Sequence, residues 1–320
     1  MKGEMCSQEW KIQTRELLAL AWPAILEQLL LTTATYVDTA MIGVLGADAT
    51  AAVAVNSSVV FLIVGLLTAA GVGYSVQVAH SLGAQEWERA GMVSRQALLG
   101  ALATGVAGML CMGVLSGQIP VWLGADKSIQ ADASRYLFFY ALGLPLQSCL
   151  AVFSAVLRCA GDTRTPLLFN AGANLLNVGL NFLFIFSPRW IALPWGSVWI
   201  WGAGLGVAGA AIGTALSGGT MGLIMVAIMF RRKGAARLTW GASYRPEKTI
   251  NCRAVRLGLP VLLERAVFSG GQLFMTRMVT SLGNISLAAN HVAVTAEGIS
   301  YLPAQGVSFA STALVGQAVG

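Results

Sequence analysis

The sequence predicts an all-α integral membrane protein with a complete six-helix first lobe and the first two helices of a second lobe that repeats it. Hydrophobic residues make up 56% of the 320 residues and charged residues only 11%, whereas a soluble domain carries about 25% charged residues. The apolar residues form eight stretches of about 20 residues or more, the length that crosses a bilayer as a helix. A segment from the first apolar stretch also recurs in the seventh, which predicts the repeat.

The composition also excludes several classes of protein. So few charged residues cannot cover a water-exposed surface, so an ordinary soluble enzyme is excluded. A disordered chain is excluded because disorder needs low hydrophobicity and high charge. The five cysteines show no CxxC pair and no metal spacing, which predicts free thiols. We find no HExxH or GxSxG motif and expect neither enzymatic activity nor a nucleic-acid partner.

The eight apolar stretches give the predicted order of elements. Their limits are Leu17–Leu45, Ala51–His80, Val93–Gln118, Ser134–Leu157, Pro166–Phe186, Gly204–Phe230, Val255–Leu282 and Ala288–Ala318. We therefore expect a cytoplasmic N-terminus at residues 1–16, a first six-helix lobe at 17–230, a cytoplasmic linker at 231–254, and two helices of the second lobe at 255–320. The linker is the only long polar stretch between apolar runs.

The basic residues predict the orientation in the membrane. With the N-terminus in the cytoplasm, most of the 20 Lys and Arg residues fall in cytoplasmic segments, as the positive-inside rule requires. The linker is the richest of these segments. The sequence therefore predicts a multi-pass protein of the plasma or inner membrane whose N-terminus is cytoplasmic.

An internal repeat relates the first span to the seventh. The segment Leu20–Gln28 resembles Leu257–Arg265, so that Pro23 corresponds to Pro260. At the same offset Gly83 corresponds to Gly320, the last residue. Six spans separate the two copies, and an even number gives a parallel repeat about an axis along the membrane normal. A full second copy would need more residues than follow, so we expect a chain truncated after about eight helices.

Several motifs resemble the multidrug and toxic compound extrusion (MATE) family of transporters. Val37–Gly46 resembles the family's DT…G.LG signature, and Leu157–Pro166 resembles its RGAGDTRTP loop. Further likenesses are Val78–Ala84, Asn174–Asn181, Gly209–Thr214, Leu302–Gly306 and Val315–Gly320. The resemblance implies twelve helices in two lobes, alternating access, and efflux driven by inward Na⁺ or H⁺ flow. It implies small cationic amphipathic drugs or toxins as substrates, a monomer in the lipid bilayer, and no cofactor besides the coupling ion.

Asp38 is the first candidate for an ion-coupling residue. A carboxylate inside an apolar helix costs about 2.5–3.5 kcal/mol on insertion scales and is by default functional. The alternative is a hydrated acid near a helix end. The family resemblance places Asp38, Asn177, Asn181 and Thr214 where some members bind the coupling ion in the first lobe, so we expect a possible Na⁺ site at Asp38 and no other metal. Those members carry Asp where this chain has Asn181.

A stripe of asparagines in the fifth span is the second candidate. Asn170, Asn174, Asn177 and Asn181 follow one another in steps of three or four, which places them on one helical face. Amide oxygens suit hard cations such as Na⁺. The alternative is that these amides hold helices together. We count Asn174 as a cavity candidate.

Three acids and three prolines complete the candidates. Glu27 and Glu264 occupy equivalent repeat positions, either facing a cavity or reaching toward the interface, and Glu297 lies mid-span in the eighth stretch. Pro23, Pro260 and Pro303 interrupt helical hydrogen bonds and act either as hinges or as static kinks. The alternative function is a flippase for lipid-linked precursors, which predicts a cavity rich in cationic residues.

Overall fold

The computed structural model describes residues 2–193, 196–234, 236–280 and 284–319, and most of them are helical. The helices are α1 (Lys2–Gly43), α2 (Ala47–Gly83), α3 (Trp87–Leu115), α4 (Ile119–Trp122), α5 (Lys127–Cys159), α6 (Arg164–Ile185), α7 (Gly206–Arg231), α8 (Lys248–Thr280) and α9 (Asn284–Val319). Two strands, β1 (Arg189–Leu193) and β2 (Gly196–Ile200), pair as an antiparallel hairpin between α6 and α7.

Eight long helices coincide with the eight predicted apolar stretches. Six of them are long and apolar enough to cross a membrane among the residues that were placed: the part of α1 from Leu17 onward, α2, α3, α5, α6 and α7. The remaining two, α8 and α9, correspond to the two predicted spans of the second lobe. Glu264 and Arg265 interrupt the apolar composition of α8 midway.

Four features differ from the predicted element limits. Helix α1 begins at Lys2 rather than after a polar segment at residues 1–16, and α8 begins at Lys248, inside the predicted linker at 231–254. Hydropathy marks the membrane-crossing part of a helix, whereas the helix continues wherever residues such as Glu, Lys and Gln favour it. The short helix α4 and the hairpin lie in connections where no element was predicted.

Helix α5 forms the centre of the first half. It packs against α2, α3 and α7, and 67% of its apolar window is buried, against 22% to 39% for the other five candidate spans. Phe153, Leu157 and Val152 are fully buried at its core. Glycines allow the neighbours to approach, since a Cβ built on Gly143 would lie 2.7 Å from the Cα of Ala215 on α7.

Helices α8 and α9 pack against α1 and α2 and form the seam between the two halves. Glycines line this seam: a Cβ built on Gly258 would lie 2.6 Å from the carbonyl oxygen of Ala69, and one on Gly316 would lie 2.8 Å from the Cβ of Ala79. The Tyr74 hydroxyl also donates a 2.7 Å hydrogen bond to Asn251 Oδ1. These contacts lie at the predicted cytoplasmic end of the helices.

Farther along α8 the side chains are open. Leu263, Val267 and Phe274 are each more than half exposed. The two halves therefore contact each other mainly at the predicted cytoplasmic end.

The segment between α7 and α8 is held against α3. Gln96 donates through Nε2 to the carbonyl oxygen of Arg245 at 2.8 Å, and its Oε1 accepts from the backbone N–H of Glu247 and from Asn251 Nδ2, both at 3.0 Å. Trp240 stacks on Phe230 with 4.2 Å between ring centroids. These contacts fix where α8 starts relative to the first half.

Candidate functional site

Asp38 lies on α1, five residues before the helix ends at Gly43. Its side chain is half-buried and faces α6, where Asn181 Nδ2 donates a 2.8 Å hydrogen bond to Asp38 Oδ1. Asn181 itself is fully buried. Because a buried carboxylate is costly unless it is hydrogen-bonded or paired, this amide partly compensates its placement inside an apolar helix.

Asn177 extends the cluster from Asp38 to α7. It precedes Asn181 by one helical turn, so both side chains lie on the same face of α6. In one orientation its Nδ2 donates to Thr214 Oγ1 at 3.1 Å, and its Oδ1 accepts from Asn181 Nδ2 at 3.2 Å. Rotating the amide brings Nδ2 to 2.7 Å from Asp38 Oδ1 and lets Oδ1 accept from Thr214 at 3.1 Å. The structure thus brings Asp38, Asn177, Asn181 and Thr214 together.

The oxygen atoms of this cluster suit a hard monovalent cation or a proton. One carboxylate, two amide groups and one hydroxyl come together where α1, α6 and α7 meet. Asn181 Oδ1 is buried and has no hydrogen-bond partner among the placed residues, although a Cβ on Gly213 would collide with it. Leaving such an acceptor unpaired costs about 1–3 kcal/mol, so a cation at this point would recover part of that free energy.

No group of three or more His, Cys, Asp or Glu side chains comes together in the described ranges. Asp38 is the single acid of the cluster and its partners are neutral, so the cluster carries at most one negative charge.

Glu27 lies in a buried ion pair instead of an open cavity. Its side chain is 3% exposed, and Oε1 accepts from Arg158 Nη1 and Asn170 Nδ2, both at 2.8 Å. The sequence allowed two interpretations of Glu27, an acid that faces a cavity and an acid near the membrane interface. Neither of them describes this contact. The pairing with Arg158 was not predicted, because the two residues are 131 positions apart and belong to different motifs.

Two of the other cavity candidates lie on α6 and α8. Asn174 is half-buried on α6, and its Nδ2 is buried without a hydrogen-bond partner within the described residues. Glu264, the repeat counterpart of Glu27, is exposed on α8. The side chain of Glu297 lies outside the described residues.

The three candidate hinge prolines all lie inside helices. Pro23 is in α1, Pro260 in α8 and Pro303 in α9. Pro23 is buried, whereas Pro260 and Pro303 are exposed. A change in helix bend would therefore rearrange packed neighbours around Pro23 more than around the other two prolines.

Asp162 fixes the loop between α5 and α6. Its carboxylate accepts from the backbone N–H of Thr165 at 3.0 Å and pairs with Arg232 at 2.6 Å. Burial by itself would raise the pKa of Asp162, but the hydrogen bonds from Thr165 and the charge of Arg232 outweigh it, and the pKa lies below its usual value. This carboxyl group therefore joins the first turn of α6 to Arg232, the residue that follows α7.

Comparison with known proteins finds relatives described as probable multidrug resistance proteins. The chain is 30% identical over 309 residues to a probable multidrug resistance protein NorM of Thermotoga maritima, covering 95% of this chain and 62% of the relative. It is 27% identical over 312 residues to a protein of the same description from Neisseria meningitidis serogroup A, covering 96% of this chain and 65% of the relative. The chain therefore spans somewhat less than two thirds of the length of these curated relatives.

Solved structures show the same fold. A crystal structure of MATE in complex with MaD3S superposes with a TM-score of 0.85 at 24% identity, over 95% of this chain and 65% of the other. A structure described as the outward-facing conformation of a multidrug resistance MATE family transporter of the MOP superfamily gives a TM-score of 0.84 at 24% identity, over 95% and 64%. The predicted all-α membrane fold is confirmed by these matches.

The family profile matches both halves of the chain. The MatE profile covers residues 23–183, which contain Asp38 and the loop after α5, and again residues 260–320, which contain the repeat of the first span. Together these ranges make up more than half of the chain, and they confirm the resemblance that the motifs indicated. The chain belongs to the MatE family of membrane transporters.

Proposed function

We propose that this chain exports small cationic amphipathic drugs or toxins by antiport against inward Na⁺ or H⁺ flow, with alternating access. The observation that carries the proposal is the cluster of Asp38, Asn177, Asn181 and Thr214, which joins an intramembrane acid on α1 to neutral amides on α6 and a hydroxyl on α7. An intramembrane acid of this kind needs a cation or a proton. Family membership and relatives named as multidrug resistance proteins support drugs as the substrates.

The proposed mechanism links the charge of Asp38 to the bend of α1. A Na⁺ ion or proton neutralises Asp38. The hydrogen bonds from the amides of α6 to its carboxylate then no longer hold α1 in place. Pro23, buried in the same helix, lacks the N–H that would stiffen it. The gradient biases the halves between two arrangements only as far as the cation prefers one of them.

The proposed setting is the plasma or inner membrane, with the N-terminus in the cytoplasm. The distribution of basic residues supports this orientation. A lipid-precursor flippase is not favoured, because it calls for cationic residues facing the cavity. The partly buried Arg158 is instead paired with Glu27.

The test is ethidium export by the full chain reconstituted in lipid vesicles, driven separately by a Na⁺ gradient and by a pH gradient. Asp38→Asn keeps the size and hydrogen bonding of the side chain but fixes it in a neutral state. We expect gradient-driven export to be lost while ethidium binding to the purified protein largely remains. The matched control is Asp132→Asn. Asp132 is an exposed acid whose ion-pair distance to Arg135 is long, at 3.8 Å, so export should stay at the parental rate.

Comparing the two gradients identifies the coupling ion. Export that follows the Na⁺ gradient at constant pH assigns Na⁺, and export that follows the pH gradient without Na⁺ assigns H⁺. If Asp38→Asn vesicles export ethidium against its gradient as fast as the parental chain, Asp38 has only a structural role and the proposal is wrong.

A further inference from the structure

A second acid–amide pair lies on the seam between α1 and α6, below the candidate ion site. Glu27 precedes Asp38 by eleven residues on α1, and Asn170 precedes Asn181 by eleven residues on α6. Eleven residues make about three helical turns and rise roughly 16 Å, so each pair of positions returns to nearly the same helix face. In both pairs the amide donates a 2.8 Å hydrogen bond to the carboxylate. The two pairs are therefore equivalent rungs between two helices that run in the same direction.

The α6 side of the seam stays polar between these two rungs. Asn174 and Asn177 lie between Asn170 and Asn181 in steps of three and four residues, so an amide occurs about once per turn, or about every 5.4 Å. Asn174 Nδ2 is buried and unpartnered within the described part of the chain. The face of α6 between Asp38 and Glu27 therefore carries an amide side chain on every turn.

Glu27 has an unused acceptor. Oε1 takes both the Arg158 and the Asn170 hydrogen bonds, while Oε2 is buried and has no partner among the described residues. An arginine–carboxylate pair is strongest when both oxygens are engaged, and a buried acceptor without a donor costs free energy. Oε2 is therefore available to a further hydrogen-bond donor or to a cation.

Arg158 is held in place from the other half of the molecule. Its guanidinium carbon lies 4.7 Å from the centre of the Phe309 ring on α9, a cation–π distance. The carbonyl oxygen of the next residue, Cys159, accepts a 2.8 Å hydrogen bond from Gln317 Nε2 of the same helix. The position of Arg158 beside Glu27 therefore depends on the contact between the halves.

We propose that Glu27 and Asn170 form a second, inner station for the coupling cation, and that Arg158 occupies this station as a tethered cation while the halves are in contact. The proposal rests on the proposed function. When α9 withdraws, Arg158 loses Phe309 and becomes hydrated, and Glu27 accepts the Na⁺ or proton that arrives from Asp38. When Arg158 returns, it displaces that cation. The Glu27 carboxylate is therefore neutralised both when α9 is in contact and when it has withdrawn.

The experiment is infrared difference spectroscopy of the full chain in lipid, recorded on adding Na⁺ and on acidification. In Arg158→Gln the tethered cation is gone, and we expect the Glu27 carboxylate band to respond to Na⁺ or to protonation. That response should be lost in the double variant Glu27→Gln/Arg158→Gln. In the parental chain and in Arg158→Lys, where the cation remains, only the Asp38 band should respond.

A second variant covers the case in which Arg158→Gln does not fold. Phe309→Leu keeps the ion pair but removes the ring that holds Arg158, and it should give a weaker response of the same Glu27 band. If the Asp38 band responds while no Glu27-dependent band appears in either variant, the inner station is refuted and the proposed function stands. If the parental chain shows no Asp38-dependent response to either cation, the proposed function fails and the inner station fails with it.

Discussion

The glycine contact at Gly258 provides a direct test of how the two halves close. A methyl group added there would lie 2.6 Å from the carbonyl oxygen and 3.1 Å from the carbonyl carbon of Ala69. Both are backbone atoms of α2, which cannot rotate away as a side-chain tip can. Gly258→Ala should therefore push α8 away from α2 at the predicted cytoplasmic end.

The size of the effect follows from overpacking. Inserting a methyl group into a close contact costs about 1–3 kcal/mol, and each 1.4 kcal/mol changes an equilibrium about tenfold. The ratio of closed to open molecules should fall roughly 5- to 150-fold. Alanine also favours the helix over glycine by about 0.8–1 kcal/mol, so the comparison needs a glycine in the same helix that has free space around it.

Cys159 is a natural reporter for this opening. It is 5% exposed and lies beside α9, whose Gln317 binds its carbonyl oxygen. In a chain in which Cys6, Cys111 and Cys252 are changed to serine and the buried Cys149 to alanine, the rate of Cys159 alkylation measures how often the cytoplasmic seam opens. Gly258→Ala should speed this reaction by a factor of about 5 to 150, in line with the shifted equilibrium.

Gly270→Ala is the matched control. Gly270 lies in the same helix, and a Cβ built there meets none of the described atoms within 4 Å. The Gly270→Ala variant gains the same helix propensity without a clash and should leave the alkylation rate of Cys159 unchanged. Equal rates in Gly258→Ala and Gly270→Ala would refute the idea that close packing at this point holds the halves together.

Three other outcomes are expected. A cysteine at Lys127 should react with an impermeant thiol reagent from outside the cell and one at Lys233 should not; the reverse pattern would invert the topology. Pro23→Ala restores a helical hydrogen bond in α1 and should slow ethidium export while membrane insertion stays normal; an unchanged export rate would make the kink a packing feature. Asp162→Asn should lower the thermal stability at neutral pH. Because the folded pKa of Asp162 is lowered, its contribution is present above the unfolded value of about 3.9 and is lost as the pH falls through the folded value. The difference in melting temperature between variant and parental chain should therefore disappear in acid, and a difference that persists there would contradict this role.

The sequence was sufficient to predict the long helices but not all of their limits. Apolar runs marked where α2, α3, α5, α6 and α7 cross, since hydrocarbon thickness sets a minimum length. The same signal misplaced the starts of α1 and α8, because a helix extends beyond the membrane wherever its residues favour it. The strands at residues 189–193 and 196–200 are apolar but far too short to cross the bilayer as a helix, and they were missed.

The candidate ion site was partly predictable for a similar reason. The spacing of Asn177 and Asn181 placed them on one face of α6, and the family motif connected them with Asp38 and Thr214. Spacing along one helix cannot show which side chains on different helices meet. The contact between Glu27 and Arg158, on α1 and α5, therefore emerged only from the folded arrangement.

The burial of α5 has a consequence for how the protein is made. With 67% of its apolar window covered by protein, α5 is the most buried of the six candidate spans, yet the ribosome completes it before α7, one of the helices that cover it. During synthesis Gln147 on α5 cannot yet reach the Thr214 carbonyl of α7, so this amide enters the bilayer without that partner. Assembly of the first half thus passes through a stage in which α5 is inserted but uncovered, and substitutions that make α5 more polar should reduce the yield of membrane-inserted protein more than the activity of the molecules that mature.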